Sequence, residues 1–268
     1  MSALLAMTRH GPADGLPLVL LHAFPLDQTM WDGVLAELGD VPVCTLDAPG
    51  FGSSPPPRAV AESLGRALAP SLETYADAVA ATLHDAGVSR AVVAGLSMGG
   101  YAVLALAERH RDLLAGVGLL DTRAEADDAA ARANRLKVAE LAAGPTGSGA
   151  VASMLTTVLG ETTLQSRPDV VERLRAALAA APPTGIQWGQ VAMAERPNRL
   201  HVLPDLMVPA LVLRGAEDKG SPQAAAEAMA ERLGDVEVVV VPRAGHMSAL
   251  EAPAEVAAAL RRLYERCG

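Results

Sequence analysis

The pentapeptide Gly95-Leu96-Ser97-Met98-Gly99 restricts how its stretch of chain can fold, because it joins an apolar run to a helical one. Upstream, Arg90-Ala91-Val92-Val93-Ala94 reads as a short buried strand. Downstream, Tyr101 to Arg109 is rich in Ala and Leu and reads as a helix. A strand that turns straight into a helix through G-x-S-x-G puts the serine in a sharp, strained turn. The residues two before and two after it then crowd together, which only glycine allows. The Ser97 hydroxyl is left exposed above the strand ends, and the N-terminus of the next helix beneath it favours negative charge. Such a serine is a candidate nucleophile. The pattern alone is weak: composition produces it in roughly one chain in ten of this length, and a serine capping a helix looks the same.

Apolar runs alternate with helical patterns along the 268 residues. Pro17 to His22, Pro42 to Leu46, Ala91 to Ala94, Gly116 to Leu120, Ala210 to Leu213 and Val236 to Val241 read as short, continuously apolar strands. Such runs suit a parallel sheet covered on both faces. Between them, Ser71 to Ala86 carries Leu72, Tyr75, Ala76, Val79 and Leu83 at helical spacing, with Ser71 as cap and Gly87 as stop. A last helix from about Pro253 aligns Val256, Leu260 and Leu263. This is an α/β layout with a mostly parallel, doubly wound sheet. The alternation fails between Asp121 and about Arg196, where helical stretches surround a Gly144-to-Gly149 break and a Pro182-Pro183 turn. The expected division is a core over residues 1–121, an inserted helical cap over 122–197, and the rest of the core over 198–268.

Several function classes are disfavoured. A net charge of −9 argues against nucleic acid or an anionic membrane as partner. No apolar run reaches the length of a membrane span, and the first residues lack the basic flank of a signal peptide. Cys44 and Cys267 are far apart and lack metal-ligand spacing, so neither a disulfide nor a metal is expected and the cytoplasm is the default. The turn-rich Asp47-to-Ser54 loop matches no phosphate-binding motif, and no cofactor is implied.

A serine hydroxyl needs a base to take its proton and a third group to orient that base. His246 follows the last strand and precedes the last helix, at the sheet edge where Ser97 also emerges. His84 and His110 fall on helices, His10 in a turn and His201 in a polar connection, while His22 ends a strand and reads as structural. Asp218 follows the Ala210–Leu213 strand and is the candidate acid; Asp121, also at a strand end, is its rival. The oxyanion of acyl transfer needs N–H donors. Met98 supplies one, and Phe24, in His22-Ala23-Phe24-Pro25, supplies the other because Pro25 has none. Phe24, Trp188 and Met193 are the expected walls of a modest apolar pocket.

Taken together, these segments resemble the α/β-hydrolase superfamily over nearly the whole chain. His22 to Pro25 is similar to its oxyanion loop, with Ala in the second place. Asp47 to Ser54 is similar to its D-x-x-G-x-G-x-S loop, Gly95 to Gly99 to its nucleophile elbow, Gly215 to Pro222 to its acid loop, and Gly245-His246 to its histidine loop. Within the superfamily the elbow and compact helical segment resemble small bacterial serine esterases and enol-lactonases. The resemblance implies hydrolysis of a small carboxylic ester or lactone through an acyl-enzyme. Thioesterase, C–C bond hydrolase and cofactor-free haloperoxidase activities share the same layout, and a non-catalytic receptor on this fold is the rival of another class. Only about sixteen residues precede the first strong strand, so the antiparallel edge is expected to shrink to one strand.

Overall fold

A run of strands with no exposed residue forms the middle of the molecule. In the computed structural model, which describes residues 4–268, β2 (Leu18–Leu21), β4 (Ala91–Leu96), β5 (Leu114–Leu120) and β6 (Ala210–Gly215) are buried along their whole length. β1 (Met7–His10), β3 (Val43–Leu46) and β7 (Val236–Val241) complete a seven-stranded sheet in the order β1-β3-β2-β4-β5-β6-β7. Every pairing is parallel except that of β1 with β3. A parallel sheet needs crossover helices on its faces, which explains why its central strands read as unbroken apolar runs. Among the described residues the antiparallel edge is the single strand β1, as expected from the short stretch that precedes β2.

Helices α1 (Asp32–Leu38), α2 (Pro57–Ser63), α3 (Leu72–Asp85) and α4 (Met98–Arg109) belong to the first half of the fold. α3 begins where the Ser71 hydroxyl accepts the Thr74 N–H, satisfying one of the donors that a helix start leaves open. Between β5 and β6 the chain forms α5 (Ala129–Ala143), α6 (Met154–Val158), α7 (Glu161–Ser166), α8 (Pro168–Ala180) and α9 (Pro183–Ala194). These helices pack over the loops at the carboxyl ends of the strands. Gly185 of α9 meets the Gly50 backbone, and Arg173 of α8 donates to the Thr29 carbonyl at 2.5 Å. Helices α10 (Gln223–Ala230), α11 (Ser248–Glu251) and α12 (Pro253–Glu265) finish the chain.

Two details depart from the sequence expectation. His10 is no turn residue but ends β1, its Nε2 lying 3.1 Å from Thr45 Oγ1 on β3. β7 is not covered on both faces: Val238 and Val240 are each 51% exposed, because β7 is the free edge beyond β6. An outward face of three valines mimics a buried run in one dimension. We therefore expect Leu20→Ala, in the sealed β2, to cost about 2–5 kcal/mol, and Val240→Thr to shift stability by only about 0.5 kcal/mol. Urea unfolding of the two variants measures both.

Candidate active site

Ser97 sits between β4 and α4 with φ 53° and ψ −109°, a conformation that L-residues avoid. Holding it costs of order 1–3 kcal/mol, and the neighbouring chain supplies the restraint. The Ser97 N–H donates to the Leu120 carbonyl of β5 at 2.9 Å, and the Thr122 hydroxyl donates to the Ser97 carbonyl at 2.9 Å. A Cβ on Gly95 would collide with the Gly99 carbonyl, and one on Gly99 with the Leu21 carbonyl of β2. The two glycines therefore let strand, turn and helix close on each other.

The structure brings Ser97, His246 and Asp218 into one hydrogen-bonded chain. His246 Nε2 lies 2.8 Å from Ser97 Oγ, and Nδ1 lies 2.9 Å from Asp218 Oδ2. A carboxylate only accepts, so Nδ1 carries the proton and Nε2 is left to accept from the serine. The other Asp218 oxygen accepts the Gly220 and Ser221 N–H groups at 2.7 and 3.0 Å, which fixes the carboxylate on its loop. Burial pushes His246 toward the neutral form, but the Asp218 hydrogen bond and charge outweigh it and hold its pKa above the ordinary value. Burial likewise opposes ionisation of Asp218, yet the His246 bond and the loop N–H groups keep its pKa low.

Asp121, the rival acid, is fully buried but does not reach the imidazole. Its Oδ1 accepts from Gly215 N at 2.8 Å, and its Oδ2 accepts from the Ser248 hydroxyl and N–H. Burial and the nearby Asp218 charge lift its pKa to about 7. It joins the loops that carry Asp218 and His246 rather than orienting the ring directly. His22 is also spoken for: Nδ1 donates to the Ala23 carbonyl at 2.9 Å and Nε2 accepts the Ala48 N–H at 2.8 Å. Burial lowers its pKa, so it is a neutral tie between two loops.

Phe24 and Met98 flank the serine. Among the described residues neither of their N–H groups donates to a protein acceptor. Ser97 and His246 open into a cavity of about 510 Å³, walled on the apolar side by Phe24, Tyr101, Met154, Val158 and Met193. Arg123, Asp127, Arg135 and Lys219 complete its lining with charge. Trp188 is corrected: it is absent from that lining and packs edge-on against Tyr75, with centroids 6.5 Å apart. The pocket is accordingly less apolar than the composition of the helical segment implies. Its arginines were not legible beforehand, because nothing in the sequence says which face of α5 looks inward.

A sequence model of the alpha/beta hydrolase family matches residues 18–259 of the 268, and the chain belongs to that family. A thermophilic esterase from Thermogutta terrifontis is 38% identical and superposes with a TM-score of 0.90, covering 98% of this chain and 93% of that one. The pimeloyl-(acyl-carrier protein) methyl ester esterase of Aromatoleum aromaticum is 30% identical over 261 residues, 90% of this chain and 94% of that protein. The enol-lactonase from Burkholderia xenovorans LB400 shares the fold, with a TM-score of 0.85 at 23% identity over 97% of this chain and 96% of that one.

The two carboxylates can be told apart without any substrate. NMR titration of the His246 imidazole in Asp218→Asn is expected to show its pKa falling below that of the unchanged protein, because burial is then unopposed by the hydrogen bond. Asp121→Asn, which removes only a distant charge, is expected to move it much less.

Proposed function

We propose that this protein hydrolyses a carboxylic ester or lactone of a small molecule through an acyl-enzyme formed on Ser97. The observation that carries the proposal is the continuous Ser97–His246–Asp218 chain, with bonds of 2.8 and 2.9 Å, opening into a cavity of small-molecule size. The esterases among its relatives support the same reading.

In this mechanism the substrate carbonyl carbon approaches Ser97 Oγ while His246 Nε2 takes the hydroxyl proton. The Ser97 oxygen bonds to the carbon, and the carbonyl π electrons move onto oxygen. The Phe24 and Met98 N–H groups, with the start of α4 behind Met98, stabilise that oxyanion. Collapse of the tetrahedral adduct breaks the bond to the alkoxy group, which leaves with the proton from His246. Water then enters, loses a proton to the same nitrogen and releases the acid, restoring Ser97. Asp218 holds the ring in the tautomer that both halves require and stabilises the imidazolium between them.

The strained φ of Ser97 serves this chemistry by presenting Oγ above the strand ends without a search among rotamers or backbone states. Catalysis gains from such preorganisation because the reacting atoms pay no ordering cost at the transition state.

With p-nitrophenyl esters from acetate to decanoate, Ser97→Ala is expected to abolish turnover and Asp218→Asn to reduce kcat by roughly 10⁴. Steady turnover by Ser97→Ala would overturn the proposal. The pH profile gives an independent check. His246 must be unprotonated to act as base, and Asp218 raises its pKa, so kcat/KM is expected to climb with pH through a midpoint above the ordinary histidine value of 6.5. A midpoint well below 6.5 would contradict the assigned hydrogen bond.

A further inference from the structure

The charge inside the cavity is opposite in sign to the charge of the whole chain. The protein carries −9, yet three cations, Arg123, Arg135 and Lys219, face one carboxylate, Asp127, around Ser97 and His246. Asp127 offsets at most one of them, and it is shared with a fourth cation. Its Oδ2 accepts from Arg135 Nε at 2.5 Å, and its Oδ1 accepts from Arg196 at 2.7 Å. Arg196 lies behind the wall, with its guanidinium 4.1 Å from the centre of the Tyr101 ring and its side chain only 2% exposed. A buried cation thus occupies half of the carboxylate. Arg135 spends Nε there and one amino group on Gln190 Oε1 and Met193 Sδ at 3.4 and 3.3 Å, and among the described residues its other amino group has no hydrogen-bond partner.

The other two cations are freer still. Arg123 donates to the Gly220 carbonyl, which pins the guanidinium beside His246 and leaves its remaining N–H groups to the cavity. Among the described residues neither Arg123 nor Lys219 has a carboxylate partner within ion-pair distance. Lys219 precedes Gly220 on the same loop, so two cations stand on the acid-loop side and Arg135 on the wall formed by α5. A neutral ester draws no benefit from this arrangement. Cations without a full set of counter-charges favour an anion brought among them, and guanidinium groups are the ones best suited to a carboxylate fork.

We infer that the substrate carries a free carboxylate besides its ester or lactone, seated among Arg123, Lys219 and Arg135. This rests on the Ser97 hydrolase reading and names its substrate class. For a half-ester one water is consumed, the alcohol leaves and a dicarboxylate is released; a lactone takes up the same water and opens to a hydroxy dicarboxylate. The cavity has room for an acyl chain of a few carbons between Ser97 and the cations.

The test compares p-nitrophenyl hemiesters of succinic and glutaric acid with p-nitrophenyl butyrate and valerate, which match them in length but lack the charge. The expected result is a roughly 10- to 100-fold higher kcat/KM for the charged esters, the range for hydrogen bonds to an ionised group. Raising the salt toward 1 M should shrink that preference. Lys219→Gln should lower the charged-to-neutral ratio severalfold through KM rather than kcat, and Arg123→Gln should do the same. A parallel arm needs no turnover: glutarate, but not butyrate, should raise the Tm of Ser97→Ala. Equal or faster hydrolysis of the neutral esters would overturn the inference while leaving the hydrolase reading intact. Loss of both substrates alike in Lys219→Gln would also overturn it. Turnover that survives in Ser97→Ala would sink the hydrolase reading instead. Absence of any glutarate effect on Tm would remove the carboxylate seat whatever the kinetics show.

Discussion

Ser97 occupies a backbone conformation that it would not hold alone, and the site is organised around keeping it there. The strain of order 1–3 kcal/mol is a sizeable share of what stabilises a typical domain. It is held by β5, through the Leu120 carbonyl and the Thr122 hydroxyl, and by the contact of Gly99 with the end of β2. Both restraints come from strands next to β4, so the turn depends on the sheet order and not on its own five residues. An isolated peptide of that sequence has no reason to adopt it.

Two carboxylates lie close together behind the serine, and their surroundings divide them. Asp218 meets an imidazole and two N–H groups of its own loop, all of which favour the charged form. Asp121 meets a hydroxyl and two N–H groups but is more deeply enclosed, and its neighbour's charge works against it. Placing a second full charge there would raise the cost of both. The pair therefore separates into an ionised member bonded to His246 and a member with its pKa lifted to about 7 that links β6 to α11.

Much of the fold was legible because buried parallel strands have a plain signature. β2, β4, β5 and β6 appear as apolar runs bounded by turn residues, and each lies within two or three residues of its expected place. β7 misled only about its outer face, since Val238 and Val240 look the same in sequence whether covered or bare. The residues of the hydrogen-bonded chain were legible because each sits directly after a strand, where the geometry of the sheet gathers loops. The cavity wall was not. Trp188 and Arg135 lie on helices whose rotation is set by contacts with other helices, and local periodicity does not report that. Trp188 turned to Tyr75, while Arg135 turned to the cavity.

His246 is held from an unexpected direction. Its N–H donates to the Val158 carbonyl at 2.8 Å, at the end of α6. The next residues are stitched to the same region: Gly160 N and Thr163 Oγ1 donate to Glu251 at 2.8 and 2.6 Å, and Thr162 donates to Glu217 at 2.8 Å through its N–H. Glu217 adjoins Asp218, and Glu251 also accepts from Met247 N at 3.1 Å. The helical segment over the cavity and the loop that carries His246 are thus tied into one mechanical unit. In evolutionary terms, this helical segment is no freely exchangeable module. A lineage that reshapes α5 or α9 can alter the cavity wall, but residues 158–163 must stay in register with the core or the imidazole loses its seat.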